Sequence, residues 1–416
     1  MADLAVMGRK KLEVIHKKYS ETNMNHRVLK GVKFAVSFCG MSALSGAALA
    51  TNGSYLTANG PFASGMGGVS IALPQDATAA ANNPAGMAEL GARFDMYGLL
   101  LVTQADATFG STANKFYSRG IVPVPGGGFN FQISPQWTFG VSVSGAGLAS
   151  NYGRPLLPIP GAGDAKASLT VVNTAPTVTY KPLPNLAIGL SLVLGVEQFR
   201  ANGVIGAGPD GVPFAVPSHG NSWAAGIGGG IGVLWTPVPA VTLGATYYTK
   251  TWFSALSGYK NDLFAPSNGH VDSPAHYGAG VAVRPLPGLT VAMDYMRIEW
   301  SKAAGYNIPS SFNWHDQNVF RVGASYDLTD RWTIRAGYSM ANSHLDSDHT
   351  LANFFANGIN DRAVTAGVTY AIDKRNLITA SFEYDIPRTI VGTGPSTGTN
   401  ISTNLQLYTI GYTHKF

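Results

Sequence analysis

A chain of 416 residues with only 12% charged side chains, 50 glycines and 45% hydrophobic residues is too poor in charge for a soluble globule, which carries about twice that charged fraction. Eight of the 28 Lys/Arg and three of the 23 Asp/Glu fall in the first 50 residues, so the rest holds 20 of each sign and no basic surface for nucleic acid. After Ala50 no run of 18 apolar residues occurs, which excludes a helical membrane protein.

The first 50 residues read as a targeting segment. Arg27, Lys30 and Lys33 form a basic n-region, Phe34 to Leu49 an apolar h-region, and Ala48-Leu49-Ala50 a cleavage site before Thr51. The stretch ahead of Met24 is long and mixed in charge, so translation is expected to start at Met24. The single cysteine, Cys39, lies in the h-region; the bulky Phe38 before it does not suit a lipidation site, and the rest of the chain has no thiol for a disulfide or a nucleophile.

Residues 51–91 read as a plug. Small apolar residues such as Phe62, Met66, Val69, Ile71 and Met87 are broken up by Gly and Pro, with no run suited to a membrane helix or a heptad seam. From residue 92 to 416 the chain alternates apolar and polar residues. Six tight connections, at 134–136, 182–185, 237–239, 285–288, 328–330 and 373–376, carry Pro, Asp or Asn where a strand must stop. Each is followed by a similar strand opening, as in Trp137-Thr-Phe-Gly-Val-Ser-Val and Leu186-Ala-Ile-Gly-Leu-Ser-Leu, so the internal repeat is a hairpin. Seven longer connections, roughly 106–118, 149–166, 203–219, 255–272, 303–315, 345–357 and 390–400, separate them. Six turns and seven loops join fourteen strands. Short turns at one end and long loops at the other predict an all-β, 14-stranded antiparallel transmembrane barrel, its turns periplasmic and its lumen closed by the plug.

Several segments carry a resemblance. Gly65-Met66-Gly67-Gly68, Asp76 and Asn83-Pro84-Ala85 ahead of the first strand resemble the N-terminal hatch of FadL/TodX-type outer-membrane transporters of long-chain fatty acids and other hydrophobic compounds. Similar segments recur at 294–302, 314–326, 330–338 and in the terminal Gly411 to Phe416. The resemblance implies passive uptake across the bacterial outer membrane, a monomer set in outer-membrane lipid and lipopolysaccharide, and recognition of the terminal Phe416 by the barrel assembly machinery. It also implies sideways release of ligand through a kink in the third strand, here at Gly145 and Gly147; the other reading of these small residues is that they make room for the plug. The second reading is a plugged porin-like or adhesive barrel whose loops bind a partner; apolar loops favour transport, and a charged lumen would favour the porin.

For ligand capture, the loops supply Phe214, Leu256, Tyr259, Leu263 and Phe264 as an apolar groove. A carboxylate in an apolar lumen needs a cation, and Arg200, Lys250, Arg297, Arg321 and Arg335 are strand residues that could serve. No catalytic, cofactor or nucleotide motif is present in context, so no enzyme and no cofactor is expected. His315-Asp316 reads as loop-base hydrogen bonding. The loop of His344, Asp346, Asp348 and His349 reads as solvated polarity, its spacing too irregular to assign a metal.

Overall fold

The computed structural model describes residues 52–207 and 212–416. The targeting segment, the start at Met24, Cys39 and cleavage before Thr51 lie outside the described residues.

Fourteen long strands form the wall: β1 (Arg93–Thr108), β2 (Lys115–Gln132), β3 (Trp137–Asn151), β4 (Lys166–Leu183), β5 (Leu186–Asn202), β6 (Ser222–Val238), β7 (Val241–Tyr248), β8 (His276–Leu286), β9 (Leu289–Ile298), β10 (Gln317–Asp327), β11 (Trp332–Ala341), β12 (Arg362–Ala371), β13 (Asn376–Ile390) and β14 (Ile401–Lys415). Each pairs antiparallel with the next, and β1 pairs with β14 from Arg93↔Lys415 to Ala107↔Ile401, which closes the sheet. Closure leaves neither the first nor the last strand without a neighbour, as a membrane requires. The predicted turns and loops fall where the strands end.

Alternation fixes which face meets lipid. On β5 the residues Ile188, Leu190, Leu192, Leu194 and Val196 are exposed on the outside, while Ala187, Ser191 and Val193 are buried inside. Near the turns, Trp137 packs on Tyr180 and Trp332 on Tyr370, each pair with ring centroids 4.6 Å apart. Outward aromatic pairs at that level are the interfacial girdle of a membrane barrel.

Residues 52–91 lie inside the barrel. A single helical turn, α1 (Pro61–Ser64), and two 3-10 turns, Ala79–Ala81 and Pro84–Glu89, are the regular structure there. The segment is buried nearly throughout, with Met66, Val69, Ala77 and Met87 fully so.

Candidate functional site

The hatch approaches the wall through inward-facing glycines. A Cβ on Gly337 would lie 2.2 Å from the Gly67 nitrogen, one on Gly323 2.3 Å from the Met66 carbonyl oxygen, and one on Gly189 2.2 Å from the Pro84 carbonyl carbon. Gly244 against Ile71 and Gly128 against Ala77 repeat the arrangement at 2.4 and 2.1 Å. Backbone lies on backbone at these points, so no side chain can turn aside to make room.

Polar groups then lock what the glycines admit. Asn83 sits at the N-cap of the Pro84–Glu89 turn in an extended conformation and accepts from the Ala85 N–H at 3.1 Å. Its amide donates to the Ile71 carbonyl at 2.8 Å and across to the wall at the Val233 carbonyl at 3.2 Å, while Thr179 of β4 donates to the Pro84 carbonyl at 2.9 Å. On the opposite wall the Asp294 carboxylate of β9 accepts from the Ser70 and Ile71 N–H groups at 2.7 and 3.0 Å. Asp95 accepts from the Ala77 N–H at 2.8 Å and is forked by Arg93, which also donates to the Gln75 carbonyl at 3.0 Å.

Asp76 occupies the middle of this base. It caps Thr78, whose N–H donates to its carboxylate at 2.9 Å and whose hydroxyl also donates to it. Burial, and after it the charge of Asp95, push its pKa from 3.8 up to about 6. A carboxyl raised in the folded state favours its neutral form, so this contribution to hatch stability is full below pH 3.8 and is lost as pH rises through about 6. The loss is on the order of 2–3 kcal/mol. Hydrogen exchange of hatch amides, corrected for intrinsic rate, should show protection falling between pH 4 and 7, and Asp76→Asn should flatten that fall; an equal slope in the variant would refute the assignment.

Above the hatch, at the end of the long loops, lies a cavity of about 790 Å³, within the range of small-molecule sites. Its lining is apolar, from Leu148, Leu169, Phe199, Leu263, Phe264 and Phe354 among others, and contains no Lys or Arg among the described residues. Besides Tyr306, its titratable side chains among the described residues are Asp348 and His349. They pair with each other at 2.6 Å, and the second His349 nitrogen meets the Pro309 carbonyl oxygen at 2.9 Å. Burial works against a charged His349 ring, but those two partners outweigh it and raise its pKa.

A second cavity of about 100 Å³ lies deeper, between hatch residues Tyr55 to Asn59 and the wall at Ser144 to Ala146, Tyr248, His276 and Arg321. Beside it the strand ladder of the wall is interrupted. β2 and β3 pair only from Gly127↔Val143 to Gln132↔Thr138; beyond that β2 pairs only with β1 and β3 only with β4. In place of a β2 partner the Gly147 N–H donates to the carbonyl of Ser54 at 2.9 Å. The gap ends where Asn151 N–H donates to the Ser118 hydroxyl at 2.9 Å.

Of the expected residues, Gly65, Asp76, Asn83, Pro84 and Ala85 all lie in the buried hatch. Gly145 and Gly147 border the gap, where a Cβ on Gly147 would lie 2.2 Å from the Leu169 carbonyl oxygen. Leu263 and Phe264 line the large cavity. Leu256 and Tyr259 do not: both are fully buried in the core, where the Tyr259 hydroxyl donates to the Gly220 carbonyl at 2.7 Å. Phe214 is exposed beside a separate surface pocket.

The cation candidates divide by the parity of their strands. Arg321 and Arg335 face inward and are buried, Arg321 donating to the Gly68 carbonyl at 3.3 Å and Arg335 to Thr369 at 2.7 Å. Arg200 and Arg297 are corrected: both stand on the outer row of their strands, Arg297 paired with Asp316 at 2.8 Å, so neither reaches the lumen. Lys250 lies past the end of β7, 3.6 Å from Asp272. Because Asp316 holds Arg297, His315 pairs instead with Asp346 at 2.6 Å. The His344 ring packs on Trp314 at 4.3 Å, and burial lowers its pKa to about 3; no metal-holding cluster occurs among the described residues.

Pro123 and Pro125 were not anticipated. They lie on β2 where it is paired with β1, so the N–H groups they lack belong to the edge facing β3, where the ladder stops. The Val-Pro-Val-Pro run at 122–125 is the signal for an unpaired edge.

Residues 41–414 match the family described as outer membrane protein transport protein (OMPP1/FadL/TodX). The chain belongs to this family. It is an outer-membrane transport protein and not an enzyme. No curated protein matches. Among solved structures, the Pseudomonas putida toluene transporter TodX shares 20% identity over 88% of this chain and 100% of its own, with a TM-score of 0.66. The Ralstonia pickettii toluene transporter TbuX shares 20% over 86% and 99%, with a TM-score of 0.62. A Pseudomonas aeruginosa FadL homologue shares 15% over 89% and 100%, with a TM-score of 0.66. At such identities these likenesses establish the fold, including the family's fourteen-stranded barrel.

Proposed function

We propose that the protein carries hydrophobic compounds passively across the outer membrane, receiving them in the loop-end cavity and releasing them through the gap between β2 and β3 while the hatch stays seated. The observation that carries this reading is the large apolar cavity without a Lys or Arg in its lining among the described residues, above a small cavity that borders an unpaired stretch of wall. Desolvating a carboxylate without a cation costs several kcal/mol, so this entry site favours uncharged molecules, aromatic or aliphatic, over fatty-acid anions. The solved structures named for toluene transport are consistent with that preference.

Long-chain fatty acids are the second reading, favoured by one residue. Arg321 lines the small cavity, and its Nε has no partner among the described residues, so a carboxylate could be met there. Asp294 and Glu383 stand near enough to act on its charge.

Replacing Leu263 and Phe264 together with Asp puts two charges into the cavity wall. Binding of toluene to the purified protein should weaken about tenfold or more, since burying apolar surface is worth roughly 1.5–3 kcal/mol per large side chain. The barrel should remain folded, because neither residue takes part in strand pairing. Titration with toluene and with palmitate in parallel separates the readings: toluene binding unchanged in the variant would remove the cavity as the entry site, and palmitate binding the stronger in wild type would favour the acid.

A further inference from the structure

The outer face of the barrel changes character beside the gap. On β5 the lipid-facing row Ile188 to Val196 gives way to Gln198, Arg200 and Asn202. At about 3.3 Å per residue along a strand tilted by roughly 40°, Arg200 lies about 30 Å above Ile188, just past an apolar belt about 25 Å tall. That is the level of the phosphates in the outer leaflet.

The neighbouring strand brings a second cation to the same place. Lys166 of β4 is opposite Asn202 and Ser168 is opposite Arg200, so Lys166 and Arg200 are diagonal neighbours on one face. Lys115 stands on the other bank of the gap, on the outward row of β2 with Tyr117 and Ile121. None of the three is ion-paired among the described residues, whereas Arg119 is taken by Asp106, Arg297 by Asp316 and Arg388 by Asp361. Among the described residues these three outward cations without an ion pair therefore stand on the strands around the gap, while Arg362 of β12 is a further one away from it.

We propose that Lys166 and Arg200, with Lys115 across the gap, bind the phosphate groups of outer-leaflet lipopolysaccharide and so hold a lipid at the margin of the lateral opening. Two cations seven to eight ångströms apart by register, about that spacing for diagonal neighbours, suit a multiply charged lipid headgroup. Gln198, beside Arg200 on the same row, is paired in register with Trp223 of β6, which puts an aromatic surface next to the site for the lipid's sugar or chain.

The test uses the full protein purified in detergent, with lipid binding read by native mass spectrometry. Wild type should bind diphosphoryl lipid A about tenfold or more tighter than its dephosphorylated form, at roughly 1 kcal/mol per cation near an anionic surface. Lys166→Gln with Arg200→Gln should cut that preference several-fold and leave binding of the dephosphorylated lipid as it was. Arg362→Gln, on β12 and away from the gap, should keep the preference. Retention of the full preference by the double variant would overturn the site, as would wild type binding both lipids equally. Displacement of lipid A by an equal concentration of inorganic phosphate would show a free-anion site and overturn the lipid assignment.

Discussion

Gly337→Leu and Gly189→Leu should each unseat the hatch and turn a sealed barrel into a leaking one. The added side chain would start 2.2 Å from hatch backbone at Gly67 or at Pro84. Rotamer changes cannot relieve contacts that begin at Cβ, and overpacking a close-fitting core costs about 1–3 kcal/mol even where neighbours can shift. Backbone cannot shift here without breaking the bonds of Asn83, Thr179 and Asp294 that fix the segment. Permeation of small sugars into proteoliposomes should rise by an order of magnitude or more, on the premise that a barrel of this width has an open lumen when unplugged. The variants should still migrate as heat-resistant barrels, since strand pairing is untouched. Wild-type permeability in both variants would mean that the wall glycines do not set the seal.

Much of this fold was legible along the chain because barrel strands announce themselves locally. Turn residues at 182–185 or 285–288 stop a strand wherever they occur, and alternation such as Trp137, Phe139, Val141 depends only on which face meets lipid. The outward position of Arg200 and Arg297 follows from the same alternation once it is carried the full length of β5 and β9, from Leu190 or Met293 upward. Reading them as lumen residues neglected that parity. The wall glycines are different in kind. Gly140, Gly189 and Gly244 are visible as small residues in the strand openings, but their need for no Cβ arises from Met87, Pro84 and Ile71, far off in sequence.

Loop composition misled in another way. Leu256, Tyr259, Leu263 and Phe264 are alike in apolar character and all pack in or against one core cluster, yet only the last two also line the cavity. Charge in the lumen also has a meaning composition could not supply. Asp294, Arg321 and Arg335 face inward as porin residues would, but their partners are hatch atoms or other wall groups, so they serve to seat the hatch. Gly145 and Gly147 lie on the third-strand bank of the unpaired stretch, whereas its other bank carries Pro123 and Pro125 of the second strand.

The route itself is tested most directly by closing the gap. A Cβ on Gly145 would lie 2.8 Å from a Val124 methyl carbon across the opening, so Val124→Cys with Gly145→Cys places two thiols within disulfide reach. Among the described residues there is no other cysteine to compete. Uptake of a radiolabelled hydrophobic substrate such as toluene into proteoliposomes should fall about tenfold or more on oxidation and recover with reductant, about 1.4 kcal/mol or more on the passage barrier. Sugar permeability should stay low in both states, because the hatch has not moved. Full uptake through a fully cross-linked barrel would contradict the lateral route.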